Sequence, residues 1–92
     1  MRIVVRAKAA DDLVSIFEWI AHDDPKAAIE TVRRIRHRIG RLATPGLAHM
    51  GRPGLVTGTR ELVEAPYIIV YEVSDDGEEL AVLAVFHGAQ SR

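Results

Sequence analysis

Cysteine is absent from the 92 residues. That excludes a disulfide framework, a cysteine-based zinc site and a thiol nucleophile. Long apolar runs are missing too, and none approaches the length that crosses a bilayer. Residues 1–7, MRIVVRA, hold basic groups but neither a long apolar region nor a cleavage pattern, so they do not read as a signal peptide. A net charge of −1 argues against a protein that coats nucleic acid without regard to sequence. There is no GxGxxG, no Walker-type phosphate loop, no HExxH and no GxSxG. The lone GRPG turn lacks both the lysine and the following helix that phosphate binding needs. His22, His37, His49 and His87 stand on different elements without close spacing, so neither a metal nor another cofactor is expected. A cytoplasmic protein that does not contact membrane is the expectation.

What is present is an ordinary globular composition, 48% hydrophobic and 27% charged. At this length the expectation is one domain, residues 1–92, burying roughly 60–65% of its unfolded surface. Charge is unevenly divided. Residues 1–43 carry nine basic and six acidic groups, whereas residues 44–92 carry three and seven. Ten of the twelve bases are arginine, and Arg33, Arg34, Arg36, Arg38 and Arg41 crowd one segment.

Residues 2–6 read as a short strand. Leu13, Ile16, Phe17 and Ile20 then line one face of a helix from about Ala9 to His22, and Asp11 and Asp12 suit its positive end. Asp24 followed by Pro25 is an N-cap before a first-turn proline. The second helix carries its apolar stripe through Ala28, Ile29, Val32, Ile35, Ile39 and Leu42 to about Ala43. Residues 44–58 form a loop of several turns, in which Gly51, Gly54 and Gly58 are expected to supply conformations barred to other residues. Strands follow at Thr59–Val63, Tyr67–Val73 and Glu79–His87, the last two joined by an Asp-Gly type turn at Ser74–Gly77. The predicted architecture is a two-layer α+β domain of order β-α-α-β-β-β: an N-terminal strand, an antiparallel helical hairpin, then a three-stranded antiparallel meander. Both sides of Tyr67–Val73 are mostly apolar, so the sheet face away from the helices needs cover, by self-association or by a bound peptide.

Three constellations carry possible chemistry. On the second helix, Arg34, Arg38 and Arg41 share one face, and Arg33 and His37 share a neighbouring one. They read either as a solvated face paired with acids of the sheet or as a contact for an acidic protein or RNA. Arg60 and Glu61 begin a strand and must point to opposite sides. His87, next to Gly88 at a strand end, either fixes the chain terminus or joins Arg60 and a nearby tyrosine or glutamate in acid–base cleavage of RNA.

The segments AADDLVSIFEWIAHDDPKAA (9–28), GRPGLVTGTREL (51–62), YIIVYEV (67–73) and LAVLAVFHGAQ (80–90) together resemble the RelE/ParE superfamily of type II toxins, and more narrowly ParE. The resemblance implies the same β-α-α-β-β-β topology. RelE-like members cleave messenger RNA at the ribosome; on that alternative the residues concerned are His87, Arg60, Glu61 and Tyr71. ParE-like members trap DNA gyrase on cleaved DNA. Pro66-Tyr67-Ile68 lacks the arginine of the ribonuclease pattern, and GTREL and FHGAQ are the ParE-like forms of their segments. The resemblance therefore implies a gyrase inhibitor without catalysis of its own, acting on the A subunit, with Arg52, Arg60, His87, Gln90 and Arg92 as target contacts. It also implies a ParD-like antitoxin, in a heterodimer or heterotetramer, whose acidic and apolar arm meets Arg33, Arg34, His37, Arg38, Arg41 and Phe17. DNA is then contacted only through the antitoxin. The chain departs from many relatives in ending Gln90-Ser91-Arg92, without their terminal tryptophan, so a third alternative is an inactive member that only binds its antitoxin.

Overall fold

The alternation and helical spacings locate the elements to within two residues. A computed structural model describes residues 1–89. It contains β1 (Arg2–Val5), α1 (Ala7–Ala21), α2 (Pro25–Arg41), β2 (Arg52–Pro53), β3 (Arg60–Glu64), β4 (Tyr67–Val73) and β5 (Glu79–His87). The additional element is β2, a two-residue bridge inside the long loop that pairs antiparallel with Arg60 and Glu61 of β3. It lies at the sheet edge, where the missing N–H of Pro53 is tolerated.

The sheet order is β1-β5-β4-β3-β2. β3, β4 and β5 form the antiparallel meander, and β1 adds parallel to β5 with Ile3 opposite Leu80 and Val5 opposite Val82. That parallel pairing needs a crossover, and the helical hairpin supplies it. α1 packs along β5, and α2 packs on α1 and reaches β3. Ala9 and Leu13 of α1 and Ile35 and Ile39 of α2 meet Leu62, Ile69, Tyr71, Leu80, Val82 and Val85 of the sheet in one core. Each of the larger fully buried side chains contributes on the order of 1.5–3 kcal/mol.

Local chemistry accounts for the helix ends. Asp24 has an extended backbone and its Oδ1 accepts from Ala27 N at 3.1 Å, capping α2 behind Pro25. α1 begins earlier than the apolar stripe indicates, so Asp11 and Asp12 fall beyond its first turn and do not serve its dipole. Asp12 acts elsewhere. β5 carries a register shift opposite Val70 and Tyr71, and Asp12 Oδ2 accepts from Val85 N at 2.9 Å beside it, while Oδ1 meets Lys8. The side chain thus satisfies a strand N–H near the irregularity in the ladder.

Candidate functional site

Four side chains were candidates for acid–base work, and the fold sends them in different directions. Arg60 and Tyr71 are register partners on β3 and β4, facing the helices. Tyr71 is fully buried; its hydroxyl accepts from Gly51 N at 3.0 Å and donates to Ala48 O at 2.9 Å. Arg60 Nη1 donates to Gly51 O at 2.9 Å and His49 O at 3.3 Å. Together they hold residues 48–51 against the sheet. Gly51 is required there by space and not by conformation: a Cβ would stand 2.7 Å from Tyr71 Oη and 2.9 Å from the Glu61 carbonyl oxygen. Gly54 is similar, crowded by Thr59, whereas Gly58, at φ +88°, is the left-handed turn residue of this loop.

Glu61 points to the opposite side of the sheet from Arg60. Glu61 is 4% exposed, and its carboxylate accepts from Arg52 Nη2 at 3.2 Å. His87 ends β5 opposite Tyr67, with the two rings edge to face at 5.5 Å. Its Nδ1 accepts from Ala89 N at 3.0 Å, which turns the chain at the strand end. His87, Arg60, Glu61 and Tyr71 therefore do not converge on one reacting position. No group of three histidine, aspartate or glutamate side chains among the described residues is placed to hold a metal.

The arginine face of α2 is partly tied to the sheet. Glu64 sits between Arg38 Nε at 3.4 Å and Arg34 Nε at 3.8 Å, and Arg38 Nε is buried without a hydrogen bond. Arg33 lies 3.6 Å from Glu30 on its own helix. Arg36, His37 and Arg41 are exposed, with no acidic partner among the described residues. Phe17 of α1 is partly exposed, and Val14 and Ile29 are more so. Gln90 and Arg92 lie outside the described residues.

The pattern of the sequence did not single out Trp19, Leu55 or Val56. Trp19 is 82% exposed and borders, with Ile16, Tyr67 and His87, a groove between α1 and the end of β5. Leu55 and Val56 project from the loop before β3. No helix of the described residues is long and apolar enough to cross a membrane.

Comparison with known proteins adds a family to this geometry. Residues 3–92 match the model of the ParE toxin of type II toxin-antitoxin system, parDE. The chain is 42% identical over 91 residues to "Putative toxin Y4kP" of Sinorhizobium fredii (strain NBRC 101917 / NGR234), covering 97% of this chain and 90% of that one. Its fold is similar to a chain of the "Chromosomal ParDE TA system from P. aeruginosa", with TM-score 0.81, 28% identity and 95% of each chain covered. A chain of the toxin–antitoxin complex RelBE2 from Mycobacterium tuberculosis shares the fold alone, at TM-score 0.60 and 18% identity, over 94% of this chain and 95% of that one.

Proposed function

The chain belongs to the ParE toxin family of type II toxin–antitoxin systems, and on that premise we propose that it acts by binding DNA gyrase, through the A subunit, without catalysis of its own. The observation that carries the reading is the occupation of the four candidate acid–base groups. General acid–base catalysis needs its groups within reach of one substrate position. Here the Tyr71 hydroxyl and the Arg60 guanidinium bind loop backbone, Glu61 binds Arg52 on the other side of the sheet, and His87 Nδ1 binds the chain end. The chain also lacks the net positive charge that ribosomal RNA contact calls for.

Neutralisation falls to a ParD-like antitoxin whose acidic and apolar arm lies against α2, in a heterodimer or heterotetramer. Arg33, Arg34, His37, Arg38 and Arg41 offer the charge and Phe17 the apolar contact. Arg34 and Arg38 share one carboxylate between two guanidinium groups at distances beyond good hydrogen bonding, so donors remain for an incoming acid.

The test is a cleavage assay with gyrase and supercoiled plasmid, with linear DNA scored after protease treatment. Linear product that appears with the toxin and disappears with the antitoxin is the expected result. Active gyrase that yields no linear product would overturn the reading and return the weight to RNA cleavage.

A further inference from the structure

The face of the sheet turned away from the helices is covered in part: Ile68 and Ala81 are buried, Gly88 lies beside Ile68, and the loop after β2 folds over Val70, Leu83 and Phe86. That loop is not slack. Gly54 N donates to Thr59 O at 2.8 Å, Thr59 N donates to Val56 O at 3.0 Å, and Thr59 Oγ1 donates to the same carbonyl at 2.6 Å. Gly58 makes the turn in the left-handed region. A loop so closed holds its side chains in place, and those it displays are Leu55 at 73% and Val56 at 69% exposure.

Between this loop and the sheet runs a groove floored by Val70, Leu83 and Phe86. Two aliphatic side chains fixed above an apolar floor are unlike the scattered surface leucines of any soluble protein. Among the described residues the charges that line the groove are of one sign: Glu61 and Glu72 line it, and no lysine or arginine does. Arg52 answers Glu61, while Glu72 is half-buried with no cationic partner among the described residues.

We propose that this groove is the contact surface for the toxin's protein target, and that its occupant is an apolar segment of that target carrying a lysine or arginine to meet Glu72. The inference rests on the gyrase reading and extends it to a place and a chemistry. Charge selects the occupant. Phosphate backbones and anionic lipid surfaces gain nothing from a groove whose one uncompensated charge is the Glu72 carboxylate. An acidic antitoxin arm gains nothing there for the same reason and is drawn to α2. A preformed display of Leu55 and Val56 also lowers the ordering cost of binding.

The experiment compares wild type with Leu55→Asp, Val56→Asp and Glu72→Lys, using purified gyrase holoenzyme, the full antitoxin and growth of cells expressing each toxin. Leu55→Ser and Glu72→Gln serve if a charged variant proves unfolded by urea denaturation. The expected result is gyrase capture weakened at least about tenfold, growth arrest relieved, and antitoxin affinity unchanged within about twofold. Variants that bind gyrase and arrest growth like wild type would overturn the surface while leaving the gyrase reading intact. Reduced antitoxin affinity in the same variants would assign the groove to the antitoxin and overturn the proposal. A wild-type toxin that arrests growth without capturing gyrase defeats the gyrase reading alone, and relief of that arrest by Leu55→Asp then supports the groove as the contact for another protein. Wild type that does neither defeats both.

Discussion

Replacing Tyr71 with phenylalanine removes one oxygen from the centre of the molecule, and the structure specifies what that oxygen does. It accepts from Gly51 N at 3.0 Å and donates to Ala48 O at 2.9 Å, with Tyr71, Gly51 and Ala48 all buried. In Tyr71→Phe both backbone groups lose their partner with no solvent at hand. A buried unsatisfied group costs about 1–3 kcal/mol. Relaxation of the loop toward water recovers part of this, and phenylalanine has no hydroxyl to desolvate, so a net loss of about 2–3 kcal/mol is expected. For a domain of this size, 1 kcal/mol moves the melting temperature by about 4–8 °C, so the shift should be about 10–20 °C. The measurement is urea and thermal unfolding of the isolated toxin, with hydrogen exchange at the Gly51 amide as the local readout. Gly51→Ala should also destabilise, because its Cβ would meet Tyr71 Oη at 2.7 Å. Combined with Tyr71→Phe its cost should fall only in part, because the Glu61 carbonyl oxygen and the ring Cε1 still stand 2.9 Å from the added Cβ; a coupling of about 0.5 kcal/mol is expected. A change below about 0.5 kcal/mol in Tyr71→Phe, or an equally protected Gly51 amide, would refute the reasoning. Unchanged stability with lost toxicity would instead mark Tyr71 as a functional group.

Further outcomes follow from other contacts. Asp12→Ala strands the Val85 N–H beside the irregularity of β5, and urea unfolding should show a loss of about 1–3 kcal/mol with faster exchange at that amide. Arg34→Glu with Arg38→Glu sets two carboxylates against Glu64 and reverses the charge at the centre of the basic face of α2, so titration should show markedly weaker antitoxin binding; retained affinity would remove these two arginines from that interface. Hydrogen bonds from Ser74 Oγ and then Glu78 N hold the Asp76 carboxyl below the usual aspartate value of 3.8. Because the folded value is the lower one, its stabilisation is present above pH 3.8 and is lost as pH falls through the depressed value. In an NMR titration, Ser74→Ala should move the Asp76 midpoint upward.

The parts of this fold that repeat were legible in the sequence. β4 and β5 fall on the residues that alternation selects, and α2 starts at the Asp24-Pro25 signal because capping is local chemistry. β2 was not legible. Two residues of edge pairing leave no periodicity, and Arg52-Pro53 reads as a turn until Glu61 and Arg60 are seen beside it. Asp12 reads as a helix-dipole residue because its partner, Val85 N, is 73 positions away. Candidate sites suffered most from distance. Arg60, Tyr71 and His87 look reactive as residue types; fixing the chain end is one of the two readings open for His87, whereas for Arg60 and Tyr71 only the fold discloses that loop backbone already occupies them. Gly51 reads as a conformational residue, whereas its demand is spatial and reports a close neighbour. Leu55 and Val56 sat unremarked in a loop because exposure is a property of the surroundings.

The division of charge along the chain acquires a meaning once the two layers are in place. The basic half forms the helices and β1, and the acidic half forms the other four strands; of its acids, Glu64 turns to the α2 arginines while Glu61 and Glu72 line the far side of the sheet. A protein of this size cannot bury both sides of one sheet with two helices, and the side left over must be either wet or partnered. Here it is apolar and anionic, whereas the exposed side of α2 is cationic. On the proposed reading, partners of opposite charge would go to opposite faces: an acidic arm to Arg34, Arg38 and Arg41, and a basic apolar segment to the groove under Leu55 and Val56. Release from the antitoxin would then be governed at α2, where added salt weakens the ion pairs, and target affinity would be governed by apolar contacts that salt leaves largely intact.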